Sequence, residues 1–358
     1  MIVRRLGSIA ALVGVGVGLA SCSQLGQTAG SDPLAIQHSY VYTAVGASDA
    51  VGFGSTAPCA TAPVIIGPDT ELMPSPPNCP GGKGYVPGIA RRLTSSTGSV
   101  VLTDLGISGA VVGPTERTLG NTWEPLLFQN CTSSGPNVCV PGDFLSDELP
   151  LIPGNQDLFT IFAGGNDTEA ILAHVAVACS GCNEQQIQAM IAADVTNFAN
   201  DYLTLIGAIH QSHPFARIYV SNLPNFGLTP RGVCIGANPG SPPPFCGPND
   251  PALGQPGLEA LLDAISTGID SNVINQFAAN GIPVIDAECD PRSYDPSNFY
   301  VDGFHPDDAG YSLFAQLFTL TIKNFGGPPP AGNCQFSQAI VHRGQNATRH
   351  VKLHHVRF

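Results

Sequence analysis

Five short β-rich runs, at residues 40–45, 100–105, 158–163, 217–221 and 282–286, alternate along this 358-residue chain with helical patterns at 88–93, 183–210, 257–279 and 307–323. Strands separated by helices pair side by side in parallel, through right-handed crossovers that lay the helices over the sheet. Near-continuous apolar strands such as Ile282-Pro283-Val284-Ile285 fit a sheet covered on both faces. The expectation is one three-layer α/β/α domain, and a hydrophobic content of 43% supplies the core it needs.

The remaining length lies in Pro- and Gly-rich segments at 55–87, 110–157 and 222–256, each following an expected strand, and the chain's 41 Gly and 32 Pro make long irregular connections natural there. No internal repeat is present, and none of the three segments reads as a linker between independent cores. Ligand sites in open α/β sheets form beyond the carboxyl ends of the strands, so these segments are expected to build the rim of one cleft. Residues 23–340 hold eight Lys and Arg against all 27 Asp and Glu, a net of −19, which argues against nucleic acid as a partner.

Residues 1–22 read as a lipoprotein signal peptide. Arg4 and Arg5 precede an apolar stretch at 6–20 that is too short for a comfortable transmembrane span, and Leu19-Ala20-Ser21-Cys22 resembles the bacterial lipobox. Cys22 would then be the lipid-bearing mature N-terminus in the cell envelope; the competing reading is an ordinary signal peptide with a cysteine near its cleavage site, giving a periplasmic or secreted protein. Residues 23–38 form a tether, 39–325 the domain, and 326–358 a C-terminal extension. Its tail, 341–358, carries Arg343, Arg349, Lys352, Arg357 and four histidines without an acid. That tail reads as solvated, with contact to anionic lipid or cell-wall polymer as the alternative.

Ten cysteines remain after Cys22, an even number in an exported chain, which makes five disulfides the natural expectation. Pairing of neighbours is the simplest connectivity: Cys59/Cys79, Cys131/Cys139, Cys179/Cys182, Cys234/Cys246 and Cys289/Cys334. Other pairings stay open. Cys179-Ser180-Gly181-Cys182 has redox-motif spacing but no thioredoxin-like strand and helix around it, so a structural bridge is preferred. No Cys/His grouping has zinc spacing, and neither metal nor cofactor is expected.

Four segments stand at expected strand ends or helix starts: Gly46-Ala47-Ser48-Asp49-Ala50-Val51-Gly52, Asp104-Leu105-Gly106-Ile107-Ser108-Gly109-Ala110, Ala163-Gly164-Gly165-Asn166-Asp167, and Asp302-Gly303-Phe304-His305-Pro306. Each alone is an ordinary turn. In this order and at these places they resemble the four blocks of the SGNH hydrolases, the GDSL esterase/lipase family, over roughly residues 39–325. The resemblance implies a flavodoxin-like strand order of 2-1-3-4-5 with long disulfide-tied loops. By position it implies Ser48 as nucleophile, Gly109 and Asn166 as oxyanion-hole donors beside the Ser48 amide, His305 as base and Asp302 as its orienting acid. One position departs from the pattern: Ala47 stands where the family usually has Asp before the serine, and Asp49 follows instead.

The chemistry is coherent without the family name. A serine hydroxyl needs an adjacent imidazole to take its proton and return it to the leaving alcohol. Only His38, His174, His210, His213 and His305 lie outside the tail, and His305 alone has a carboxylate three residues earlier on a short Gly-containing loop. Glycine at 109 allows close backbone approach and the Asn166 amide adds a side-chain donor, whereas Asp at 166 would repel an oxyanion. Plainer roles are expected elsewhere: turn formation for Gly164 and Gly165, helix capping for Asp167, support of a helix N-terminus for Asp307 and Asp308, and a solvated helix end for His210 and His213. His174 and His38 show no partner pattern. The three Asn-x-Thr sequons, at Asn130, Asn166 and Asn346, are read as chance.

The functional expectation is an exported serine esterase or lipase acting through an acyl-enzyme on an acyl lipid or an acylated small molecule or sugar. The alternatives are a carbohydrate deacetylase or acyltransferase of the same family, or an envelope binding module that kept the fold without the chemistry.

Overall fold

The computed structural model describes residues 39–59, 81–97, 99–128, 131, 138–238, 243, 245–246, 255–324 and 334. The leader with Cys22, the tether, Cys79 and the basic tail lie outside these residues. Among the described residues no helix is long and apolar enough to cross a membrane.

Five strands, β1 (Ser39–Gly46), β2 (Ser99–Asp104), β3 (Leu158–Phe162), β4 (Arg217–Ser221) and β5 (Val284–Ile285), form one sheet in the order β2-β1-β3-β4-β5, and every pairing is parallel. This is the expected order. All five residues of β3 and of β4 are buried, as the apolar run of the first and the covering helices require. The two edges are blunted differently. β2 leaves Val101 exposed, whereas β5 is cut to two residues beside Pro283, which has no N–H to give the ladder.

Helices α1 (Ser48–Val51), α2 (Tyr85–Thr97), α3 (Pro114–Leu127), α4 (Gly165–Ala178), α5 (Glu184–Ser212), α6 (Pro230–Gly236), α7 (Pro256–Ile269), α8 (Gln276–Ala279) and α9 (Asp308–Lys323) surround the sheet. On one side α2 packs on α9, with Tyr85 stacked on Phe318 and Phe162 reaching Phe314. On the other, α3, α4, α5 and α7 pack together, with Phe198, Tyr202 and Phe277 in edge-to-face contact. Strand residues alternate between the two layers: Phe162 faces α2 and α9, while Phe159 meets His213 at the end of α5.

Four expected disulfides are present: Cys131–Cys139, Cys179–Cys182, Cys234–Cys246 and Cys289–Cys334. Cys59 is also disulfide-bonded. Cys131–Cys139 and Cys234–Cys246 sit in the connections that leave the carboxyl ends of β2 and β4, and Cys289–Cys334 ties the segment after β5 to the C-terminal extension. Cys179–Cys182 lies away from those ends, because α4 starts beyond the end of β3 and runs back to the opposite edge, where it meets the start of α5.

Candidate active site

β1 lies between β2 and β3, so the chain segments leaving the three carboxyl ends are neighbours in space, with the β1 exit in the middle. Ser48 is the second residue of that exit, after Ala47. It opens α1, and the chain turns at Gly52, where φ is 72°. Gly109 lies on the loop after β2, with φ 81°, and a Cβ there would sit 3.0 Å from a Pro141 ring carbon, so both backbone and space require glycine. Asn166 is in the first turn of α4, after β3.

Far away in sequence, segment 299–306 brings the remaining groups. A bridge between Phe299 and Pro306 closes a hairpin-like loop, with the Tyr300 amide donating to the His305 carbonyl at 2.8 Å. Inside it, Asp302 Oδ1 accepts from the backbone amides of Phe304 and His305, both at 2.9 Å, and Oδ2 lies 2.8 Å from His305 Nδ1. The other ring nitrogen, Nε2, lies 2.8 Å from Ser48 Oγ. Ser48, His305 and Asp302 thus form a continuous hydrogen-bonded chain across 257 positions of sequence. With the Nδ1 proton donated to Asp302, Nε2 is left to accept the serine hydroxyl proton.

Asn166 Nδ2 donates to the Ala110 carbonyl at 2.7 Å, which orients the amide and joins the β3 exit to the β2 exit beside Gly109. An amide nitrogen carries two protons, so one stays available. Asp167 is not the N-cap residue of α4, which is Gly164, but its carboxyl takes the Gly164 and Asp167 amides at the helix start. Its Oδ1 also accepts from the Val112 amide at 2.9 Å, tying the same two exits a second time. Asp307 does cap α9, accepting from Ala309 and Gly310, while Asp308 turns outward to Lys83 and Thr56.

Charge surrounds the imidazole. Burial alone would lower the His305 pKa, but the hydrogen bond to Asp302 and the negative charges of Asp49, Asp302 and Glu169 outweigh it and hold the ring above its ordinary 6.5. Burial would likewise raise Asp302, yet its bonds to His305 and to the two amides hold it below the usual carboxylate range. Asp49, the residue after the serine, is pushed up by burial, with His305 opposing. Aromatic rings flank the base: Phe53 lies 4.6 Å from His305 and Phe304 5.1 Å, and Phe304 stacks on Phe226. Phe53, which meets both His305 and Tyr300, and Tyr300 itself expose apolar surface there, and Val301 is exposed on the same 299–306 loop.

Phe53 and Phe304 were not legible as site residues, since nothing in their local sequence says that both rings will meet one histidine. His174, without a partner pattern in sequence, has Asp194 at 2.8 Å and the Trp123 ring over it. His213 is not solvated: it is buried, with Nε2 2.8 Å from the Pro153 carbonyl, whereas His210 is only partly exposed. Among the described residues, metal-ligating groups gather at Asp286 and Glu288 beside Cys289 and Cys334, and at Glu124 beside Cys131 and Cys139. Both cysteine pairs are spent in disulfides.

The chain is similar to several solved structures at low identity. An extracellular lipase from Streptomyces rimosus is 16% identical with a TM-score of 0.43, covering 79% of this chain and 99% of the lipase. A phospholipase A1 from Streptomyces albidoflavus is 16% identical with a TM-score of 0.45, covering 79% of this chain and 99% of its own. A family 3 carbohydrate esterase from Clostridium thermocellum is 14% identical with a TM-score of 0.38, covering 80% of this chain and 97% of its own. No curated protein matches the chain. Residues 44–313 match the GDSL-like lipase/acylhydrolase family, and the chain belongs to it.

Proposed function

We propose that the protein is an exported serine hydrolase that cleaves carboxylic esters through an acyl-enzyme on Ser48. The observation that carries this reading is the Ser48–His305–Asp302 hydrogen-bonded chain, with 2.8 Å at each link to the imidazole. Ser48 Oγ attacks the ester carbonyl carbon while its proton passes to His305 Nε2. Negative charge grows on the carbonyl oxygen and is met by the Ser48 and Gly109 amides and the Asn166 side chain, donors worth on the order of 10²-fold or more each. The C–O bond to the alcohol then breaks, and His305 returns the proton to the departing oxygen. Water, deprotonated by the same imidazole, releases the acid. Asp302 fixes the tautomer and offsets the imidazolium charge. The apolar surroundings, Phe53, Phe304, Tyr300 and Val301, favour an apolar acyl group over a sugar-bound acetate.

Replacing Ser48 with Ala should reduce p-nitrophenyl ester turnover by at least about 10³-fold and abolish labelling by a fluorophosphonate probe, with an unchanged thermal melt. Turnover surviving in Ser48→Ala would overturn the assignment. Folded wild-type protein that neither takes the probe nor turns over esters would favour the envelope binding module. Export and anchoring belong to the same reading, supported by the lipobox-like Leu19-Ala20-Ser21-Cys22 and the disulfides. Labelled palmitate should enter the wild-type chain and not Cys22→Ser; equal incorporation would refute the anchor.

A further inference from the structure

One buried acid outside the Ser48–His305–Asp302 chain touches the backbone of the site from behind. The turn Phe144–Glu148 lies in the long connection after β2 and is stitched to the loop that bears Gly109. The Val111 amide donates to Gly142 at 3.2 Å, Phe144 to Val111 at 3.0 Å and Leu145 to Val112 at 3.3 Å. Asp143 caps the turn through the Ser146 amide, and Arg117 spans Asp143 and Asp147 at 3.3 and 3.2 Å. These bonds tie the turn to the segment that directly follows Gly109.

Glu148, the last residue of this turn, is fully buried and reaches the other way. Its Oε2 accepts from the Gly46 amide at 3.1 Å, and the Ile107 amide also donates to the carboxyl. Gly46 is the last residue of β1, two before Ser48, and Ile107 is two before Gly109. The Ile107 amide meets the Gly46 carbonyl at 3.1 Å as well. We propose that Glu148 is a positioning residue, one that clamps the turn carrying Ser48 to the loop carrying Gly109 so that nucleophile and oxyanion donor keep a single relative geometry. This rests on the reading that Ser48 attacks and Gly109 donates.

The cost of the arrangement supports a functional reason for it. Glu148 Oε1, Asp104 Oδ2 and the Tyr85 hydroxyl are all buried without a hydrogen-bond partner among the described residues, a placement that an apolar core would avoid. Burial raises Glu148 well above the ordinary glutamate range, the Gly46 and Ile107 amides pull it down, and Asp104 and Asp147 add to the rise, so the neutral acid is favoured. A neutral acid has a close mimic in glutamine, which keeps the carbonyl acceptor and replaces the acid proton with an amide proton.

The test compares Glu148→Gln, Glu148→Leu and Glu148→Asp with wild type in p-nitrophenyl ester kinetics and in hydrogen exchange of the Gly46 amide. Glutamine should hold kcat within about threefold and keep Gly46 protected. Leucine removes the acceptor and aspartate falls short of it, so each should lose about 10²-fold in kcat with KM within about twofold, and Gly46 should exchange faster. A folded Glu148→Leu or Glu148→Asp enzyme with wild-type kcat would overturn the proposal, as would a Gly46 amide that exchanges freely in wild type. Should leucine prevent folding, aspartate reads the same quantity. Exchange needs no ester, so it judges the clamp even if wild type proves unable to turn over any ester, a result that would count against Ser48 chemistry and not against Glu148.

Discussion

His305 is pulled by opposing forces, and the balance sets a measurable property of the proposed base. Burial favours the neutral ring, but Asp302, Asp49 and Glu169 hold its pKa above 6.5. Only neutral imidazole can accept the Ser48 proton, so kcat/KM should rise with pH along a limb centred above 6.5, and a wild-type limb at or below that value would contradict the assignment. Asp49→Asn removes one of the raising charges and should move the limb to lower pH while leaving the plateau rate nearly unchanged. Asp302→Asn should move it the same way and also cost on the order of 10³ to 10⁴ in rate, because it removes the group that orients the ring. These residues were legible in sequence because Asp302 and His305 are three apart and Ser48 stands at a strand exit. Glu148 was not, since its partner Gly46 lies 102 positions away and no local pattern links them. The pair His174 and Asp194 was hidden for the same reason, with 20 positions between the two residues, one on α4 and the other on α5.

At the scale of elements, the sheet order and the long helices α5 and α9 followed from periodicity and from the four motif blocks, while α1, α3 and α6 did not show themselves and α4 was expected only as the helix after Asp167, without bounds. α3 reads PTERTLGNTWEPLL, whose Gly, Pro and three Thr are poor helix formers; packing of Glu116, Gly120 and Glu124 against neighbouring elements makes it a helix all the same. The extent of α4 is hidden differently. Eight of its residues are buried around most of its circumference, so it lacks the one-sided apolar stripe by which a surface helix is recognised. α6 is only seven residues and starts with Pro230 after the Thr229 cap, inside a segment whose Pro and Gly content reads as loop. The expected helix at 257–279 is real but interrupted. A π-helical turn, Asp270–Ile274, separates α7 from α8 and turns the Asp270 carboxylate toward the Leu223 amide at 2.9 Å, bracing the exit of β4. Two of the segments expected to form the rim, 110–157 and 222–256, contain helices α3 and α6 as well as loops, and the disulfides Cys131–Cys139 and Cys234–Cys246 lie in the same segments. In the first of these the Cys139 carbonyl comes within 3.7 Å of where a Cβ on Gly109 would stand.

For the molecule as a whole, an acidic composition is combined with an unusual number of buried acids. Burial raises Asp104 and Asp167 to about 7, Glu124 to about 8 and Glu116 to about 10, the last also through the neighbouring charges of Asp167 and Asp201. Such groups keep their protons in the folded state at pH values where the unfolded chain, titrating near 4, has lost them. The stability they confer is therefore complete below about pH 4 and is lost as pH rises through the folded values, the reverse of a protein held by ionised carboxylates. Repulsion within a body that holds 27 acids against eight Lys and Arg acts in the same direction as these acids ionise. The domain should melt at a temperature higher at pH 5 than at pH 8 by about 5 °C or more, and Glu116→Gln, which carries no titratable proton, should flatten that dependence. Thermal melts followed by circular dichroism across this range decide it: a melting temperature that climbs from pH 5 to pH 8 would mean that the buried carboxyls are ionised in the native state, with counter-charges or ions satisfying them.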